Sequence, residues 1–131
     1  MPQALGRSLG HRHPQSTVDI RRLGEGTCVI SLGADAGRFA AAAADEVAVS
    51  AAADGCSDFV FDLTALRRYE VTALWRLADL WQGLTGFGYA VLVAAGDPGV
   101  LGTLRRALGG DADLLRPSVA DALRALLARP V

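Results

Sequence analysis

Thr72 opens the helix-forming run "EVTALWRLADLW", close behind Arg67 and Arg68 and downstream of Asp62 at the end of an apolar stretch. A hydroxyl there has three chemical uses. It can cap the helix by accepting from an orphan backbone N–H. It can receive a phosphate, which the free N–H groups and positive dipole end of a helix tolerate well. It can also attack a substrate, with Asp62 as its base. The last use finds no support nearby, because nothing in the sequence supplies an oxyanion site.

The other reactive types are sparse. All thirteen basic residues outside the two histidines are arginines, so no lysine can form a Schiff base or serve a P-loop. His11 and His13 sit in a Gly/Pro/Ser/Gln-rich opening without cysteine or carboxylate companions, which reads as a flexible tail over residues 1–16 and not as a metal site. No other histidine exists, no Gly-rich phosphate loop occurs, and no metal-ligand spacing appears. These absences argue against an enzyme and imply no cofactor. Cys28 and Cys56 lie in or beside apolar runs, where an unpaired cysteine acts as a small hydrophobe, and a reduced cytoplasm is the simplest setting.

A chain of 131 residues supports one core, placed here at residues 17–131. With 51% apolar residues and a net charge of −1, it carries no electrostatic signature of nucleic-acid or membrane-surface binding. No run approaches the roughly 18 apolar residues of a membrane span, and the opening lacks the pattern of a secretory signal, so a cytosolic protein is expected.

The elements that position Thr72 follow from periodicity. "TVDIRRL" and "TCVISL" alternate on either side of "GEG", a hairpin pattern. "FAAAAADEVAVSAAAD" reads as a helix with Phe39, Ala43 and Val47 on its apolar face, stopped by Gly55. "DFVFDL" is a buried strand with Phe59, Phe61 and Leu63 on one face. A helix from about Thr72 to Leu84 buries Leu74, Leu77, Ala78, Trp81 and Leu84. At 100° per residue, Thr72, Asp79 and Trp75 fall at about 160°, 140° and 100° from Leu74, together on an off-core face. Trp75 there is either an exposed binding anchor or a ring covered by a neighbouring loop or the N-terminal segment.

"YAVLVAA" reads as a strand buried in a parallel sheet. Asp97 and Pro98 start a further helix, which Arg105 and Arg106 end. "ADLLR" is a weak last strand. In "PSVADALRALLARP", Ser118 and Asp121 have capping-box spacing ahead of a stripe of Val119, Ala122, Leu123, Leu126 and Leu127. This order predicts an α/β fold: a mixed, mostly parallel sheet of four or five strands, with about four helices mainly on one face.

The phrase "DLTAL…EVTAL" resembles the central pattern of the STAS domain, the fold of the bacterial anti-sigma factor antagonists. In that family a strand ending in Asp-Leu-Ser is followed, after a short loop, by Asp-Ser-Ser/Thr-Gly-Leu at a helix start. Asp62, Leu63 and Thr64 match the first part, and Glu70, Val71, Thr72, Ala73 and Leu74 fall on the second without a gap. Gly33 and Asp35 resemble a Gly-Glu-Leu-Asp turn after the second strand. The likeness spans about Val18 to Ala128 and departs from the pattern at Glu70, Val71 and Ala73.

The resemblance implies phosphorylation on Thr72 by a histidine-kinase-like anti-sigma factor, with ATP belonging to that partner. It implies a protein that releases a sigma factor by docking on this kinase. Around Thr72, Glu70, Trp75, Asp79, Arg67, Arg68 and Asp35 are the candidate partner contacts, and Asp62 is structural. Arg67 and Arg68 either meet a phosphate or acidic partner or line a solvated loop. Glu70 either meets the partner or favours the helix dipole. A second copy of the chain is a further candidate partner. The alternative is a non-catalytic STAS subunit of a larger assembly, such as a lipid-transport ABC complex.

Overall fold

The two short alternating runs pair as an antiparallel hairpin. In the computed structural model, which describes residues 18–128, β1 (Val18–Leu23) lies against β2 (Thr27–Leu32), with Val18 opposite Leu32 and Leu23 opposite Thr27. Gly24 turns the chain at φ 71°, a left-handed conformation that favours glycine. The expected tail, His11 and His13 fall outside the described residues.

The parallel part of the sheet follows. β4 (Asp58–Asp62) pairs with β2, and β6 (Ala90–Ala94) pairs with β4. β7 (Leu115–Arg116) closes the far edge, giving the order β1-β2-β4-β6-β7. A separate pair, β3 (Asp35–Ala36) with β5 (Arg68–Tyr69), lies outside this sheet. The helices are α1 (Arg38–Ala53), α2 (Val71–Gly86), α3 (Pro98–Leu108) and α4 (Val119–Leu127).

Two cores reflect the two sheet faces. Phe59, Phe61, Ile30 and Val93 join α1, α2 and α3 in the larger one, where Trp81 packs on Phe61 at 5.6 Å between ring centres. Val29, Val60 and Leu92 meet α4 in the smaller one, chiefly through Ala122. The expected one-sided arrangement, with a single helix on the back, is therefore what forms.

Several local expectations change. α1 buries Ala40, Ala41, Ala44, Ala48 and Ala51, while Phe39 is 55% exposed and Ala43 and Val47 are half-buried. Small side chains bring this helix close to a sheet whose own aromatic residues already fill the space, leaving no room for Phe39 inward. The guanidinium of Arg38 lies over the Phe39 ring at 5.1 Å. Most of "ADLLR" is drawn into a 3-10 helix, Gly109–Leu114, and two residues remain as strand. Leu127 points outward from the α4 stripe.

The caps of α3 and α4 match their sequence signals. Asp97 accepts from Gly99 and Val100 N–H at 3.0 and 3.1 Å, and Ser118 Oγ accepts from Asp121 N–H at 3.1 Å. α1 ends with Gly55 at φ 103°, and Cys56 N–H donates to Ala51 O at 3.0 Å. That turn brings Cys56 to Cys28 on β2, and the two form a disulfide with a Cα–Cα distance of 6.3 Å. The cysteines are thus paired, not free, and the case for a reducing compartment loses its premise.

Candidate docking face at the start of helix α2

Asp62 closes a turn. Its Oδ1 accepts from Thr64 N–H at 3.0 Å and Thr64 Oγ1 at 2.6 Å, and its Oδ2 lies 3.5 Å from the donor Ser31 Oγ. Such a side-chain turn at a strand end is structural work for an aspartate. The loop that follows is pinned by Leu63 and Leu66, both fully buried. Leu63 N–H donates to Ala94 O at 2.8 Å.

Arg67 and Arg68 are bound into this loop. Arg67 Nη1 donates to the carbonyls of Thr64 and Leu66 at 3.0 and 2.9 Å. Arg68 Nε meets Asp35 Oδ1 at 2.8 Å across the β3–β5 pair. That ion pair is exposed, so it contributes at most about 1 kcal/mol. Backbone bonds hold the pair more firmly: Arg67 and Arg68 N–H both donate to Ala34 O at 2.9 Å, and Glu70 N–H to Ala36 O at 2.9 Å. Asp35, Arg67 and Arg68 therefore come together as a scaffold that ties the start of α1 to the start of α2.

Glu70, not Thr72, is the N-cap residue of α2. Its backbone is extended, at φ −89° and ψ 135°, and its side chain makes no capping hydrogen bond. The carboxylate turns instead toward the other helix start, where a Cβ on Gly37, the N-cap of α1, would sit 3.0 Å from Glu70 Oε2. An acidic group there favours the positive end of α1. It also accounts for glycine at position 37, where a side chain would crowd the carboxylate.

Thr72 thus stands two positions past the N-cap, too far into α2 to cap it. The helix starts at Val71, and the exposed Thr72 side chain belongs to its first turn, which carries no acidic residue. The expected face is otherwise present. Thr72, Trp75, Arg76 and Asp79 are exposed, while Ala73, Leu74, Leu77, Ala78 and Trp81 are buried. Trp75 is 51% exposed and Val71 is 53% exposed, so an apolar pair one helical turn apart flanks the hydroxyl.

Beside this face lies a groove of about 610 Å³, lined by Asp35, Gly37, Arg38, Phe39, Tyr69 and Glu70 among others. Arg38 and Phe39 were not readable as site residues, since the pattern placed Phe39 in the core. Tyr69 OH lies 3.4 Å from Thr103 Oγ1, tying the groove floor to α3. Among the described residues no cluster of three His, Cys, Asp or Glu side chains could hold a metal, and no helix is long and apolar enough to cross a membrane. A half-exposed tryptophan, flanking polar groups and a shallow groove suit protein contact better than bond-making.

Among solved structures, an anti-sigma factor antagonist from Mycobacterium paratuberculosis superposes with a TM-score of 0.70 at 26% identity, over 88% of this chain and 97% of that one. This is the STAS fold, that of the anti-sigma factor antagonists. The anti-sigma factor antagonist SpoIIAA in its unphosphorylated form shares the STAS fold with a TM-score of 0.71 at 11% identity, over 88% of this chain and all of that one. The anion transporter SLC26A9 carries the same fold in a region that makes up 20% of its chain, with a TM-score of 0.66 at 12% identity over 79% of this chain. No family model and no curated protein sequence matches.

Proposed function

We propose that this STAS domain is an anti-sigma factor antagonist, a binding module that docks on an anti-sigma factor kinase through the start of α2 and so releases a sigma factor. The observation that carries the reading is the exposed Thr72 hydroxyl in the first turn of α2, on one face with Trp75 and Asp79. Phosphate added there meets a helix N-terminus with no acid of its own in the first turn, so the domain stays folded while its docking face gains negative charge. Trp75 supplies the apolar anchor, and Glu70 and Asp79 its polar rim. Arg67 and Arg68 keep the loop in shape through their bonds to Thr64 O, Leu66 O and Asp35. The module needs no cofactor, and ATP belongs to the partner kinase.

The test is incubation with the cognate kinase and ATP, read by intact mass and partner binding for wild type and Thr72→Ala. One phosphate, lost in Thr72→Ala and weakening the complex in wild type, is the expected result. Phosphate on another residue, or binding indifferent to phosphate on Thr72, refutes the switch. A second reading rests on Val71 and Trp75, whose exposed apolar surface can be covered by a permanent partner. The chain would then be a constitutive, non-catalytic subunit of a larger assembly, a lipid-transport ABC complex being one example. No phosphate on any residue, with a kinase shown to act on another substrate, supports that reading.

A further inference from the structure

Because β2, β4 and β6 run parallel, the two helices that connect them, α1 and α2, lie side by side in one direction and end where β4 and β6 begin. Between their last turns lies a groove of about 510 Å³, lined by Val49 and Ala53 of α1, Leu80 and Leu84 of α2, and Phe87 and Tyr89 beyond it, among others. Two large apolar side chains of this lining face water: Phe87 is 87% exposed and Val49 is 59% exposed. Val18, where the described chain begins, opposes Leu32 at the other end of β2, and Ala128, where it ends, follows α4 on the other face of the sheet.

The rim of this groove is negative. The C-terminal end of a helix carries about half a negative charge. Both α1 and α2 deliver that end here, and neither has a basic residue in its last turn. α1 ends on an acid, Asp54, and Asp79 is the one charged side chain among the described lining residues. Arg22 meets Asp54 O at 3.1 Å, but from the β1 side of α1, where it lines a different groove with Ile20. The floor is built of small residues, Ala52, Ala53 and Gly83. A Cβ on Gly83 would meet nothing within 4 Å among the described residues, and glycine weakens a helix relative to alanine, so packing within the domain gives it no purpose. Close approach of a partner does.

We propose that this groove is a second docking site, and that its occupant is an amphipathic helix of a partner protein, apolar on the face it buries and basic along its margins. From Asp79 to Phe87 the groove follows about 12 Å of α2, two helical turns, which matches apolar anchors at i, i+3 or i+4, and i+7 of the incoming helix. Basic side chains beside those anchors meet Asp54, Asp79 and the carbonyl ends of both helices. The same charge disfavours other occupants: a second copy brings two negative rims together, and an anionic membrane surface is repelled. Of the face proposed to bind a kinase, only Asp79 is shared, and Thr72 lies in the first turn of α2 whereas the groove lies along its second half.

The probe is a synthetic peptide of about 15 residues, with leucines at helical spacing and lysines elsewhere, titrated into the isotope-labelled full chain. Amide resonances are expected to shift at Ala53, Gly83 and Phe87 and not at Thr72 or Trp75. The same peptide with glutamate in place of lysine should bind at least about tenfold more weakly. Phe87→Ala should weaken binding of the lysine peptide at least about fivefold. Gly83→Leu fills the open space and strengthens the helix, so it should weaken binding about tenfold while melting no lower than wild type. No shift at about 1 mM lysine peptide overturns the proposal. So do shifts centred on Thr72 and Trp75, equal affinity for the glutamate peptide, or unchanged affinity in both variants. The mapping is made on wild type and does not depend on how the variants fold. Failure here leaves the Thr72 switch standing, since the kinase assay alone decides it.

Discussion

At the scale of single residues, Thr72 separates two roles that its position alone confounds. Because it sits inside the first turn and not at the cap, Thr72→Ala should leave thermal stability nearly unchanged, whereas loss of a true cap costs about 1 kcal/mol. Thr72→Asp should add about 0.5 kcal/mol through the helix dipole, a rise of about 2 °C in Tm, while weakening partner binding if the switch reading holds. Thermal melts and titration calorimetry on one variant give both answers. Trp75→Ala is expected to lose about 2 kcal/mol of partner affinity with little change in Tm, since half its surface is already in water. A lower Tm with full affinity would make Trp75 a core residue. Which face of α2 carried Trp75 was legible because large apolar residues mark the opposite face without ambiguity. The cap lies two positions before Thr72, since a helix can begin on a residue such as Glu70 whose side chain is engaged elsewhere.

At the scale of elements, α1 is where pattern and structure part. Alanine is equally at home buried or exposed, so an alanine-rich helix gives its few large residues undue weight in choosing a face. The structure turns the alanines inward, and a mutant pair measures this. Ala48→Leu should cost about 1–3 kcal/mol by overpacking, whereas Phe39→Ala should cost less than about 1 kcal/mol. The reverse order in urea denaturation would restore the expected face. The β3–β5 pair was illegible for a different reason: two residues on each side carry no period, and their partners lie far apart in sequence. Strands β2, β4 and β6 of the main sheet were readable because each has a run of buried apolar residues bounded by turns, and the caps at Asp97 and Ser118 because they satisfy orphan N–H groups close in sequence.

At the scale of the whole molecule, the Cys28–Cys56 link joins the hairpin to the entry of β4 across a separation of 28 residues, too long for spacing to reveal. Closing a loop of that size in the unfolded chain corresponds to about 3–4 kcal/mol, so a reductant should lower the denaturation midpoint, and thiol titration of the unreduced protein should find no free cysteine. A midpoint unaffected by reductant would show that the link carries no stability. The two faces of the sheet also differ in how firmly they are clad. α4 is nine residues long, with Ala122 as its one fully buried side chain among the described residues, so it should open transiently while the rest of the molecule stays closed. A chain without lysine makes that opening easy to observe, because trypsin can cut only at arginines. Cleavage after Arg124, within α4, should precede cleavage after Arg76, within the better-anchored α2. The nicked product would bare Val29, Val60 and Leu92 along the back of the sheet, an apolar surface through which cleaved molecules aggregate.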